Sequence, residues 1–332
     1  MADGSAGDAS LGGDAPILGG QVTAEAGAEE AVAEPERRYD PRADAYTRPS
    51  LPAPAESDEG EDLGPVPPPD PGRLVDDWGR SERLVGAIEP ILDFYYRRWF
   101  RVEHEGIENV PSSGGALLVS NHSGALPPDA PMIMTAIRRG HPSPRPLYML
   151  AEHWFKGYPG VGMLVNKMGA VPAHRENAQR LLRDEGKLAI VFPEGQKGTR
   201  KVLWQRYKLR RFGRGGFVRT AIRARVPIVP IAVVGAEEAM PIFAHMRSVQ
   251  RLTGLVYAPL NHAFPWFGPL AGAMYLPAKF RIRFCKPIDM SAYPLEVMDD
   301  AAEVQMISER IRAGIATELE EMLEQRDSVW LG

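Results

Sequence analysis

The chain has 332 residues and carries 43 acidic against 39 basic side chains, a net charge of −4 at neutral pH. Its one cysteine, Cys285, excludes an internal disulfide framework and is compatible with a reducing compartment. The N-terminal stretch lacks the basic flank and apolar core of a signal peptide, and no run of about 18 apolar residues predicts a membrane-spanning helix.

The charge is unevenly distributed along the chain. Residues 1–70 hold 16 acidic and 4 basic residues, so the remaining 262 residues carry a net charge of +8. The first segment, residues 1–72, is rich in Ala, Gly, Pro, Asp and Glu and is predicted to be disordered, because it cannot bury enough apolar surface to offset its conformational entropy. It is either a docking tail or a solvated extension. The basic remainder, residues 73–330, is expected to form a single domain that suits anionic partners.

This domain is predicted to begin with an amphipathic helix whose apolar residues recur at helical spacing and which Pro90 kinks near Glu89. The helix ends in residues 94–100, where aromatic side chains are mixed with arginines. Such a mixture is typical of a membrane interface, although a core helix with a charged rim explains it equally well.

Farther along, short apolar runs alternate with helical patterns. Predicted strands cover 116–119, 146–151, 169–173, 188–192, 226–234 and 280–284, and predicted helices cover 130–139, 155–167, 176–186, 212–224 and 301–325. The alternation predicts an α/β fold with a mixed, largely parallel sheet flanked by helices. The aromatic, proline-rich segment 252–278 is either a lipid-facing or capping loop or an irregular part of the core.

His122 and Asp129 follow the first of these strands. A neutral imidazole accepts a proton from an attacking hydroxyl near working pH, and a carboxylate on its other nitrogen fixes the tautomer and stabilises the imidazolium. The intervening Ser-Gly-Ala-Leu-Pro-Pro is expected to turn the chain and start a helix near Asp129. The same two residues would also serve as a core histidine and a helix cap.

The fourth strand runs into Phe192-Pro193-Glu194-Gly195. A buried carboxylate such as Glu194 is costly unless it is paired. Residues 195–225 then contain 11 basic and no acidic side chains, a bias that favours an anion-binding surface over a solvated face. Arg175, at the end of the third strand, is a candidate phosphate ligand, or a surface partner of Glu176. No His or Cys spacing predicts a metal site.

Four ordered blocks resemble the glycerolipid acyltransferase family of the lysophosphatidic-acid type, over roughly residues 75–325. They are Asn121-His122 with Asp129, Gly169 to Arg175, Phe192-Pro193-Glu194-Gly195, and Val226-Pro227-Ile228-Val229-Pro230. The stretch 211–238 also resembles the branch with monoacylglycerol- and diacylglycerol-type acyltransferases.

The resemblance implies acyl transfer from acyl-CoA or acyl carrier protein, as co-substrate, to a glycerolipid hydroxyl, with no resident cofactor and no nucleic-acid partner. It makes His122 the general base and Asp129 its orienting group. The implied substrate-binding residues are Asn121, Arg175, Glu194, Gly195, Lys197 and Arg200. The strand at 226–230 would line the acyl side.

Two departures bear on the acceptor. The common spacing is His-x4-Asp, whereas here six residues separate His122 from Asp129, as in the monoacylglycerol-type branch. Gln196-Lys197 replace the usual Thr-Arg, and a lysine lacks the bidentate fork of arginine. We expect 1-acylglycerol-3-phosphate as the acceptor, in phospholipid biosynthesis, with a neutral mono- or diacylglycerol as the alternative. A non-catalytic lipid- or carrier-binding module is the second alternative.

The resemblance and the charge together predict a peripheral protein on the cytoplasmic face of a membrane, with membrane lipids as partners. The oligomeric state is left open by the sequence.

Overall fold

The computed structural model describes residues 74–124, 126–151, 161–246, 248–249, 251 and 259–332. The predicted disordered tail, residues 1–72, lies outside this range. So do 155–160 of one predicted helix and 252–258 of the aromatic segment.

A seven-stranded sheet forms the centre of the fold. Its strands are β1 Glu103–Glu105, β2 Ala116–Ser120, β3 Leu147–Ala151, β4 Ala170–Pro172, β5 Leu188–Val191, β6 Ile228–Val234 and β9 Arg281–Phe284; β7 Ile242–His245 and β8 Pro259–Asn261 pair separately. The order is β1-β9-β6-β2-β5-β3-β4. All neighbours run parallel except β6 and β9, which confirms the predicted mixed, largely parallel sheet.

The six predicted strands are all present. Three short strands were not predicted. β1 has the sequence Glu-His-Glu, which offers no apolar pattern, and it pairs with β9 at the edge of the sheet. β7 and β8 form an antiparallel pair with a register shift between Ile242 and Ala244.

The helices cover both faces of the sheet. Their bounds are α1 Glu82–Phe94, α2 Asp129–Gly140, α3 Val161–Lys167, α4 Arg175–Gln179, α5 Gln196–Thr199, α6 Gly216–Ala224, α7 Ala236–Ala239, α8 Gly268–Gly272 and α9 Ala301–Glu324. π-Helical turns at Tyr95–Trp99 and Arg180–Asp184 extend α1 and α4, and 3₁₀ turns lie at Ile107–Asn109, Leu203–Gln205 and Leu295–Met298. α1 continues through Pro90, and its irregular turn begins only at Tyr95.

Alternation along the strands builds one core on each face. In β2, Leu117 and Val119 pack with α6 and α9, whereas Ala116 and Leu118 pack on the side of α2. All four side chains are fully buried, so the sheet is the middle layer of three.

β2 and β5 pair in parallel, from Ala116 opposite Leu188 to Val119 opposite Val191. Their carboxyl ends therefore lie side by side, at the edge where α/β sheets bind ligands. The His122 and Glu194 segments both leave the sheet at this edge.

Two adjacent residues of α9 test the core assignment. Ile315 is fully buried, so Ile315→Ala should lower the free energy of unfolding by about 2–5 kcal/mol. A methyl group on its exposed neighbour Gly314 would meet no atom within 4 Å, so Gly314→Ala should raise that free energy by up to about 1 kcal/mol. Denaturant unfolding measures both, and equal effects would contradict the packing of this helix.

Candidate active site

The imidazole of His122 is held on one edge and one face. Its Nδ1 lies 3.0 Å from Oδ2 of Asp129, and its ring stacks on Phe192 at a centroid distance of 4.3 Å. The His122 side chain is 15% exposed, whereas that of Asp129 is 0% exposed. Nε2 has no hydrogen-bond partner among the described residues, so it is the nitrogen left for a reacting hydroxyl.

Asp129 is itself fixed by its neighbours. Oδ2 accepts a hydrogen bond from the Ser123 backbone N–H at 3.0 Å, and Oδ1 accepts one from the Ser123 hydroxyl at 2.8 Å. Asp129 is also the first residue of α2, where the helix dipole favours a negative charge. The predicted turn and helix start are therefore confirmed, and the longer interval from His122 still closes into a hydrogen-bonded pair.

Asn121 is buried and faces the sheet. Its Nδ2 donates to the Val233 carbonyl at 3.0 Å, and its Oδ1 accepts from the Val233 N–H at 2.8 Å. The side chain thus continues the pairing of β2 with β6 beyond the last strand residue. Its predicted contact with substrate stays a prediction, since both polar atoms already bind the backbone.

Glu194 joins the site from β5. Oε1 accepts the backbone N–H of His122 at 2.9 Å, and Oε2 accepts that of Arg210 at 2.8 Å. The Glu194 side chain is 0% exposed, and Lys201 Nζ lies 3.4 Å from Oε2. The predicted role of Glu194 in binding the acceptor stays a prediction. Its contacts also give it a structural role, because it holds the backbone of His122 in place.

Two glycines allow this close arrangement. Gly195 has φ 55° and ψ −148°, a backbone conformation that essentially only glycine adopts, and it starts α5. A Cβ on Gly198 would lie 2.8 Å from Cβ of Glu194 and 2.9 Å from Cβ of His122. No local pattern in the sequence marks Gly198 as a site residue, because the side chains it contacts, His122 and Glu194, lie elsewhere in the chain.

Lys201 and Glu237 are further site residues that the sequence interpretation missed. Lys201 Nζ lies 2.7 Å from Oε1 of Glu237, and the two side chains are 1% and 5% exposed. Burial raises the pKa of Glu237 to about 7, an effect that outweighs the adjacent ammonium. The sequence marks Lys201 only as part of a basic run, and Glu237 only as part of an acidic pair after β6. The two residues meet because β5 and β6 both lie beside β2 in the sheet.

The basic run 195–225 is largely anchored to the fold. Within the described part of the chain, at least six of its 11 cations contact protein acceptors. Four bind side chains: Lys201 with Glu194 and Glu237, Arg206 with Glu238, Arg210 with Gln205, and Arg211 with Gln305. Two bind backbone carbonyls: Arg219 that of Met298, and Arg225 those of Ser291 and Tyr293. The anion-binding surface predicted from this run is therefore smaller than its charge indicates.

The remaining predicted ligands are Lys197, Arg200 and Arg175. Lys197 is exposed on α5, and the Arg200 carbonyl accepts a hydrogen bond from His245 at 2.8 Å. Arg175 is exposed at the start of α4, after β4, three strands from β2 in the sheet. At about 4.8 Å per strand that separation is roughly 14 Å. The structure does not bring Arg175 into contact with the pair.

Apolar side chains border the site. The Tyr275 hydroxyl donates to the Leu126 carbonyl at 3.0 Å, in the loop between His122 and Asp129, and Leu126 is 49% exposed. Within the described residues, no cluster of His, Cys, Asp or Glu has the makings of a metal site. None of the described helices is both long and apolar enough to cross a bilayer.

The chain is similar to several known proteins. A family model described as acyltransferase matches residues 101–234. An uncharacterized protein of Mycobacterium leprae is 41% identical over 259 residues, which cover 78% of this chain and 70% of that protein. The human "DGAT1/2-independent enzyme synthesizing storage lipids" is 30% identical over 199 residues, 57% of this chain and 56% of that enzyme. The crystal structure of the 1-acyl-sn-glycerophosphate (LPA) acyltransferase PlsC from Thermotoga maritima, at 20% identity and a TM-score of 0.48, covers 74% of this chain and 83% of that one.

Gly198→Ala tests the packing around His122. The added methyl group must displace His122 or Glu194, so we expect kcat of the acyl transfer reaction to fall about tenfold or more while the fold is retained. Gly314→Ala, in open space on α9, is the matched control. Wild-type kcat for Gly198→Ala would show that the site tolerates a shift of these groups.

Proposed function

The chain belongs to the acyltransferase family, and we propose that it transfers a fatty acyl group from acyl-CoA or acyl carrier protein to a glycerolipid hydroxyl at a membrane surface. The observation that carries the proposal is the His122–Asp129 pair, 3.0 Å apart, in which Nε2 of His122 has no hydrogen-bond partner among the described residues. Family membership makes the protein an enzyme, so the second alternative, a non-catalytic binding module, is not adopted.

The reaction uses His122 first as a base and then as an acid. Nε2 takes the proton of the acceptor hydroxyl as its oxygen attacks the thioester carbonyl. The tetrahedral intermediate then expels the thiolate, the C–S bond breaks, and the imidazolium returns the proton to sulfur. Asp129 stabilises the transient cation through Nδ1. The thioester is already activated, so no covalent enzyme intermediate is required.

For the acceptor we propose 1-acylglycerol-3-phosphate. Lys197 supports this choice, since it is exposed and directly precedes Gly198, which packs on His122. Arg200 directly follows the same helix, α5. Lys197 and Arg200 are the two cations that we propose for the phosphate.

A neutral acceptor is the second candidate. It is favoured by the remote position of Arg175 and by the commitment of most cations of the basic run to internal contacts. A neutral acceptor also agrees with the name of the human relative, an enzyme synthesizing storage lipids.

The deciding experiment is product analysis with purified protein, labelled acyl-CoA and three acceptors: lysophosphatidic acid, monoacylglycerol and diacylglycerol. We expect phosphatidic acid as the main product. Triacylglycerol or diacylglycerol instead would establish the neutral candidate, and no product with any acceptor or with acyl carrier protein as donor would refute the proposal.

His122→Ala belongs in the same assay. It should lower kcat by a factor of about 10²–10⁴, and Asp129→Asn should have a milder effect because an amide still holds the ring. His174→Ala removes a surface imidazole that is 59% exposed, and it serves as the control. Near-normal turnover by His122→Ala would end the assignment of the base.

We also propose that an aromatic surface beside the site contacts the lipid. It consists of Phe94, Tyr95, Trp99, Met274 and Tyr275. The rings of Phe94, Tyr95 and Tyr275 are linked by centroid distances of 5.6 and 5.7 Å, and Phe94 and Met274 are 50% and 60% exposed. Tyr275 reaches the catalytic loop through its bond to Leu126. Exposed Arg97 and Arg98 next to these rings complement an anionic leaflet.

Phe94→Ser/Met274→Ser should weaken co-sedimentation with vesicles containing phosphatidylglycerol by at least about tenfold, because full burial of each side chain is worth about 1.5–3 kcal/mol and 50% and 60% of these two side chains are exposed. Leu295→Ser is the control, since Leu295 is also exposed, at 42%, but belongs to the 3₁₀ turn beside α6 and α9. Equal binding by the double variant and the wild type would remove this surface from the proposal.

A further inference from the structure

Lys201 stands between two buried carboxylates. Its ammonium lies 3.4 Å from Oε2 and 3.5 Å from Oε1 of Glu194, and 2.7 Å from Oε1 of Glu237. With a side chain that is 1% exposed, Lys201 has no access to substrate. Its ammonium therefore faces both carboxylates at once.

The loop that begins at Lys201 is fastened to the same carboxylates at three points. Lys201 Nζ and the Arg210 N–H both contact Glu194, and the Tyr207 N–H donates to Oε2 of Glu237 at 3.0 Å. Tyr207 adopts a left-handed φ of 61°, and its hydroxyl accepts from the Gly235 N–H at 2.8 Å. The loop therefore connects the segment after β5 to the segment after β6, with β2 between them.

We propose that Lys201 is a positioning residue for acyl transfer: it keeps the Glu194 carboxylate directed at the His122 N–H, so that the imidazole meets both Asp129 and the acceptor. This inference rests on the proposed role of His122 as the base. The route has two steps, from the ammonium to the Glu194 carboxylate and from that carboxylate to the His122 backbone at 2.9 Å.

Charge balance makes the role of Lys201 testable. The other ionisable groups around the triad are His122, Arg206, Tyr207, Glu238 and Arg326, and Arg206 and Arg326 both pair with Glu238. Without Lys201, two buried carboxylates would face each other with no cation between them. The ammonium opposes the burial that raises the pKa of Glu237, so its loss would raise that pKa further. Glu194 would lose the cation that holds its carboxylate, which weakens its hold on the His122 N–H.

Lys201→Met should lower kcat about 10- to 100-fold with KM for both substrates unchanged. A loss of stability alone lowers the melting temperature and would not be reversed by removing the Glu237 carboxylate. Lys286→Met, an exposed lysine after β9, is the control and should match the wild type.

Lys201→Met/Glu237→Gln removes the ammonium together with one of the two carboxylates that it faces, so Glu194 meets no like charge. We expect kcat to recover to within about fivefold of wild type. If Lys201→Met does not fold, this double variant carries the test alone.

Three results would overturn the inference: wild-type kcat for Lys201→Met while His122→Ala is inactive, a raised KM at constant kcat, or no recovery in the double variant. Full activity of His122→Ala would instead refute the proposed base, whatever Lys201→Met does.

Discussion

The hydrogen bond from the His122 backbone to Glu194 is the interaction on which the rest of the site depends. It joins the exits of β2 and β5, and it does so inside the protein, where an unpaired carboxylate would cost several kcal/mol. Two backbone N–H groups and the Lys201 ammonium offset that cost. The surrounding segments are consequently shaped around one side chain: α5 approaches so closely that only glycine fits at 198, and the loop 201–210 begins and ends on the same carboxylate.

The proposed base, His122, is held from several independent directions. Glu194 locates its backbone, Asp129 fixes its Nδ1, and Phe192 covers one face of its ring. Asn121, one residue earlier, fastens the end of β2 to β6. An imidazole with so little freedom is already oriented when the acceptor arrives, which is how positioned groups gain rate without new contacts. Tyr275 of the aromatic surface donates a hydrogen bond to Leu126, in the loop between His122 and Asp129. This bond connects the proposed lipid-binding surface to the proposed base.

Local patterns in the sequence were sufficient for six strands of the seven-stranded sheet and for the pairing of His122 with Asp129. Buried strands appear as apolar runs whatever their partners are, and these two residues lie on one short loop. The direction of side chains and the contacts between distant segments were harder to predict. The family resemblance assigned Asn121 and Glu194 to substrate binding, which stays a prediction, and their side chains point into the protein. Arg175 also ends a strand, but strand order puts that strand at the far edge. Lys201 and Glu237 meet only because β5 and β6 both flank β2, which no local pattern encodes.

We propose that Glu194 acts by holding His122 in place. Steady-state kinetics of Glu194→Gln test this role most directly. A glutamine has one acceptor oxygen for two N–H groups, and its amide hydrogens would face the Lys201 ammonium. The account predicts a fall in kcat of about 100-fold, with KM for the acceptor unchanged. An unchanged kcat with a KM raised by a similar factor would contradict it, and would show that Glu194 binds the acceptor.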